Sequence, residues 1–111
     1  MRDDTERVRD IQEAITRIEK YSGRGRQVFN ENELIQTWIM QHLQIIGEAS
    51  NSISKIFKNQ HPEIPWQDMA DFRNVLVHEY FRIDIDIVWS IVQQELPNLK
   101  ENINRIVQDM A

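Results

Sequence analysis

Residues 30–57, NENELIQTWIMQHLQIIGEASNSISKIF, decide the fold. Apolar side chains fall at 34, 35, 38, 39, 43, 46, 49, 53, 56 and 57, the three- and four-residue steps of one buried helical face. Asn30 or Asn32 supplies an N-cap, and early glutamates suit the positive end of the helix dipole. The spacing predicts one long helix. At 1.5 Å per residue it would span about 40 Å. A compact chain of this size is only about 26 Å across, so an elongated bundle or a dimer is expected.

Working outward, Val8, Ile11, Ile15 and Ile18 repeat at the same steps and predict a first helix from Asp4 to near Tyr21. The stretch SGRGRQ carries two of the three glycines, so the chain turns there, with its arginines in solvent. Two prolines in NQHPEIPWQD break the pattern, and Pro65 is placed to open a third helix. The buried face of that helix is Trp66, Met69, Phe72, Leu76 and Val77. FRIDIDI alternates at period two, but a lone strand has no partner here. Asp84 or Asp86 is therefore read as the cap of a fourth helix facing inward through Ile85, Val88, Trp89 and Val92, with Pro97 closing it. Leu99, Ile103, Ile106 and Met110 make a fifth element or a kinked continuation.

The expectation is an all-α, up-and-down bundle of four to five helices forming a single domain over residues 1–111. The 111-residue chain holds only three glycines and three prolines, too few for the turns of a sheet protein. Without cysteine there is no disulfide, thiolate metal site or cysteine nucleophile. The N-terminus is charged and no apolar run approaches a membrane span, so a cytoplasmic, membrane-free protein is expected. A net charge of −5 argues against broad attraction to nucleic acid and confines any RNA contact to a local site.

The chemistry concentrates in RNVLVHEY, residues 73–80. On a regular helix Arg73 and His78 lie about 140° apart, and His78 and Tyr80 about 160°. One reading is structural: a histidine at a helix end meeting the dipole and a half-buried tyrosine. The other is catalytic, with a long arginine, a distorted helix or a second subunit bringing the groups together. A guanidinium matches phosphate oxygens and imidazole exchanges protons near neutral pH. RNA supplies its own nucleophile in the 2′-hydroxyl, so no metal or other cofactor is required. His42, His61 and His78 lie far apart, and no metal-ligand motif or phosphate-binding glycine loop is present.

Arg73, His78 and Tyr80 together resemble the R-x4-H-x-Y motif of HepT-like toxins of the HEPN superfamily. IIGEAS, IPWQDMADFRNVLVHEY and LPNLK are similar to that group's segments in the same order. The resemblance implies a homodimer with both motifs in an interfacial cleft. It also implies a metal-independent endoribonuclease in which Arg73 and His78 are catalytic and Asn74 supports them. Tyr80 would accept AMP from a minimal nucleotidyltransferase antitoxin, blocking RNA by added charge. The chain departs from many relatives at Asp71 and Phe72, and Asp71 can either orient Arg73 or weaken RNA binding. An alternative function is a non-catalytic binding partner or accessory subunit of the nucleotidyltransferase, and a third is a purely structural helical dimer.

Among the remaining residues, Arg82 is a candidate phosphate contact near the motif. Lys55, Lys58 and His61 read as a solvated helix end, Glu48 as surface, and Trp38, Trp66 and Trp89 as core.

Overall fold

The computed structural model describes residues 3–77 and 84–110, and of residues 73–77 the backbone alone. Every regular element among the described residues is helical.

Helix α1 (Asp4–Ser22) begins where the Asp3 carboxylate accepts the Glu6 N–H at 2.8 Å and the Thr5 hydroxyl at 2.7 Å. These bonds, the Glu6 N–H first, hold the Asp3 carboxyl below the ordinary aspartate range. Val8, Ile11, Ile15 and Ile18, the row expected to be buried, are all in the core. The turn at Ser22–Gly25 depends on glycine at one position: Gly25 has φ of +98°, a region side-chain-bearing residues seldom adopt. The chain then makes a short helix, α2 (Arg26–Glu31), which the sequence reading did not anticipate and which buries Phe29.

Helix α3 (Glu33–Ser52) is capped by Asn32, whose side chain accepts the Ile35 N–H at 3.0 Å. The single helix expected through Phe57 is instead two. Ser54 leaves the helical conformation and its hydroxyl accepts the Phe57 N–H, starting α4 (Lys55–Gln60). The break is held from outside, because Ser54 donates its own N–H and hydroxyl to the Asp4 carboxylate, while buried Ile53 plugs the core. As a result Ile56, assigned to the buried face by periodicity, is 73% exposed, and Leu34, ahead of the main packing surface, is 82% exposed.

Helix α5 (Trp66–Val77) follows Pro65, whose carbonyl accepts the Met69 N–H at 3.0 Å. Helix α6 (Ile85–Ser90) is capped as expected by Asp84, which accepts the Asp86 and Ile87 N–H groups. Pro97 does not close this helix. A π-helical turn (Ile91–Glu95), in which the Leu96 N–H reaches back five residues to the Ile91 carbonyl, carries the chain directly into α7 (Leu96–Met110). Proline has no N–H for the Gln93 carbonyl and its ring crowds that oxygen. The wider turn just ahead of it lets the rod continue. The kinked continuation is the observed form.

Four rods therefore alternate in direction: α1, α3, α5 and the α6–α7 rod. Arg7 bonds the Ser52 carbonyl and the Trp38 indole donates to the Arg17 carbonyl at 2.8 Å, so α1 and α3 are antiparallel. Gln12 with Asn104 (2.9 Å) and Glu19 with Lys100 (3.0 Å) set α7 antiparallel to α1. Helix α3 packs between α1 and α5. The bundle measures 40 × 27 × 24 Å, long enough for α3. One apolar core runs through it from Val8 to Ile106. Burying each large aliphatic side chain there contributes about 1.5–3 kcal/mol.

Candidate active site

The foot of α5 is tightly set. The Trp66 backbone N–H donates to the Ile64 carbonyl and its indole to the His61 carbonyl, both at 2.9 Å, and Ile64, Trp66, Met69, Ala70 and Phe72 are buried. Arg73 follows Phe72 directly and lies one turn beyond Met69, so its backbone continues the same helix. Asn74 is the next residue on the same helix; the side chains of both lie outside the described residues. So do His78, Tyr80 and Arg82 entirely.

Both ends of the span carrying the motif are anchored. Val77 ends α5, and Asp84, seven positions on, caps α6. Seven links reach at most about 25 Å. Asp86, in the first turn of α6, accepts from the Arg26 guanidinium at 2.6 Å, which ties the return of the chain to the start of α2. The start of α6 thus lies at the end of the bundle that also carries the α1–α2 turn.

A groove of about 460 Å³ runs between α5 and α7 and leads along α5 toward Arg73. Met69, Phe72 and Leu99 form its floor, and Glu63, Asp68, Glu95 and Glu101 stand along it. Partial burial and then the neighbouring Asp68 push the Glu95 carboxyl above the ordinary glutamate range. The carboxylates along this groove make it unfavourable to phosphate. Among the described residues no three His, Asp or Glu side chains gather closely enough to hold a metal ion.

Asp71, left open by the sequence, accepts the Gln67 amide at 2.9 Å along its own helix. Glu48 is exposed and receives the Gln44 amide, as a surface residue does. Of the three basic candidates on and after α4, His61, the residue that ends the helix, lies 3.5 Å from the Glu63 carboxylate and packs its ring at a tilt against Phe57. Trp66 and Trp89 are core, whereas Trp38 is only partly buried and meets Tyr21 edge-on at 5.5 Å. Its place on an apolar row concealed that exposure from the sequence reading.

The HepT-like ribonuclease family matches residues 11–106. A probable ribonuclease HepT of Thermococcus cleftensis is 40% identical over 101 residues, covering 87% of this chain and 89% of its own. A putative RNase of Methanocaldococcus jannaschii is 39% identical over 75 residues, 68% and 69% of the two chains. A putative RNase of Caldanaerobacter subterraneus is 32% identical over 98 residues, 88% of each. No solved structure matches the chain. A helical bundle of this order, carrying R-x4-H-x-Y from the end of α5 and matched over most of its length, belongs to the HepT-like ribonuclease family of the HEPN superfamily.

Proposed function

We propose that this protein is a metal-independent endoribonuclease in which Arg73 and His78 act on one phosphodiester. The observation that carries the reading is the family match across residues 11–106, which includes the whole R-x4-H-x-Y span. His78 takes the proton of the 2′-hydroxyl, the 2′-oxygen attacks phosphorus, and the bond to the 5′-oxygen breaks. The products are a 2′,3′-cyclic phosphate and a 5′-hydroxyl, whose proton comes from an imidazolium. Arg73 neutralises the charge that builds on the non-bridging oxygens. Asn74 orients the pair by hydrogen bonding and Arg82 adds a phosphate contact.

A second copy of the chain supplies the other acid–base imidazole, which resolves the 140° separation within one regular helix. The protein is the toxin of a toxin–antitoxin pair. A partner nucleotidyltransferase transfers AMP from a nucleoside triphosphate to the Tyr80 hydroxyl, releasing pyrophosphate, and the added charge keeps RNA out.

Incubation of mixed RNA with purified protein, with and without EDTA, tests the reading. Cyclic-phosphate ends are expected in both arms and their loss in His78→Ala. Intact RNA in both arms would overturn it. The acidic groove beside α5 favours a second reading, a non-catalytic partner of a nucleotidyltransferase, which predicts a complex with that enzyme and no RNA products.

A further inference from the structure

At the end of the bundle where α6 starts, a cluster combines aromatic rings with cations. Lys20 and Arg24 both sit over the Tyr21 ring, at 5.6 and 4.9 Å from its centre. Tyr21 in turn meets Trp38 edge-on, and Trp38 is backed by the His42 ring at 4.5 Å. Tyr21, Arg24, Asn32, Leu34, Ile35 and Trp38 enclose an open pocket of about 250 Å³. Leu34 stands 82% exposed at its wall. The Asn32 carbonyl oxygen is used in capping α3, and its amide is left to donate.

The charge here is unlike that of the rest of the chain. Eighteen acidic residues outnumber thirteen basic ones overall, yet residues 20–30 contain Lys20, Arg24 and Arg26 and no Asp or Glu, and the acids nearest in sequence to the pocket's far wall are Glu31 and Glu33 on either side of Asn32. Arg26 is neutralised by Asp86. Among the described residues, Lys20 and Arg24 meet no carboxylate, and both sit over the Tyr21 ring. Two unneutralised cations beside two accessible aromatic rings form the combination that holds single-stranded nucleic acid: rings for the bases, cations for the phosphates.

We infer that the Tyr21–Trp38 pocket is a secondary binding site for single-stranded RNA, in which one base enters against Trp38 and Leu34 while Arg24 and Lys20 hold the adjoining phosphates. The inference rests on the ribonuclease reading for its biological substrate, but its chemistry is independent of His78. The acidic α5–α7 groove closes one route away from Arg73. The Arg26–Asp86 bond holds this cationic end beside the start of α6.

The test uses intrinsic fluorescence, because Trp66 and Trp89 are 7% and 8% exposed and Trp38 is the most accessible indole. Single-stranded oligouridylate of about ten nucleotides is titrated into the His78→Ala protein, with inorganic polyphosphate at matched ionic strength as the charge-only probe. Quenching by the oligonucleotide and not by polyphosphate is expected. Tyr21→Ala should raise Kd about tenfold, within the 1–3 kcal/mol of a stacked base. The surface pair Lys20→Gln and Arg24→Gln, which leaves the core intact, should raise Kd and flatten its salt dependence. In the His78-intact protein the same pair should raise KM for RNA and leave kcat unchanged. Equal quenching by polyphosphate, unchanged Kd in both variants, or quenching by an acidic peptide in place of RNA would overturn the inference. If wild type makes no RNA products while these binding shifts hold, the cleavage reading falls and the site stands.

Discussion

Ser54 donates both its backbone N–H and its hydroxyl to the Asp4 carboxylate, at 2.9 and 2.6 Å, across fifty residues of chain. This contact ends α3 and starts α4 by joining them to the first turn of α1. Asp4→Ala and Ser54→Ala should each cost about 0.5–2 kcal/mol, the usual range for a lost cap. The double variant should lose less than the sum of the two, since both remove the bond from the Ser54 hydroxyl to Asp4. Urea unfolding of the four proteins in the cycle measures the coupling, and strict additivity would refute it.

Two apolar residues on α3 should respond in opposite ways. Ile39 is fully buried, and Ile39→Ala should cost about 2–5 kcal/mol by leaving a cavity. Leu34 is 82% exposed, and Leu34→Ala should change stability by less than about 0.5 kcal/mol. Thermal unfolding of both variants checks the contrast.

The Glu95 carboxyl, raised by partial burial and by Asp68, gives a pH signature. The folded protein holds this proton more tightly than the unfolded chain, so it binds more protons from the ordinary value of 4.5 up to the raised one. Stability therefore falls as pH rises through that window. Glu95→Gln should remove this part of the fall, and Asp68→Asn should bring the Glu95 titration back toward 4.5 in a carboxyl NMR experiment.

On the ribonuclease reading, Arg73→Lys is not a conservative change. A lysine keeps the charge but loses the planar pair of donors that spans two phosphate oxygens. It should lower kcat at least about tenfold, using the loss of about one charge-assisted hydrogen bond as the scale, with the unfolding midpoint unchanged. Single-turnover cleavage resolves the effect.

What could be read from the sequence was local. The α1 row of Val8, Ile11, Ile15 and Ile18 needs only its own spacing, and the caps at Asn32 and Asp84 act within three residues. The break at Ser54 was hidden because its determining partner, Asp4, lies on another helix. Helix α2 was hidden because six residues show little periodicity between the Gly25 turn and Asn32. Pro97 reads as a terminator unless the turn before it widens, which no residue type announces. At the site, the pairing of Arg73 with His78 came from pattern recognition, since helical geometry alone separates them. The Tyr21–Trp38 pocket was missed because an indole on an apolar row looks like core until the neighbouring helix is in place.

The Ile91–Leu96 closure also fixes how the second half of the rod is counted. A five-residue loop-back spends one amino acid more than its α-helical neighbours, so Gln93 or Gln94 behaves as a surplus position. Deleting either would let the coil regularise with Leu99, Ile103 and Ile106 still facing α1, because five residues in the wide turn sweep about the same angle as four in a regular one. A homologous chain one residue shorter at this point would run as a straight α-helix and bury the same set of side chains.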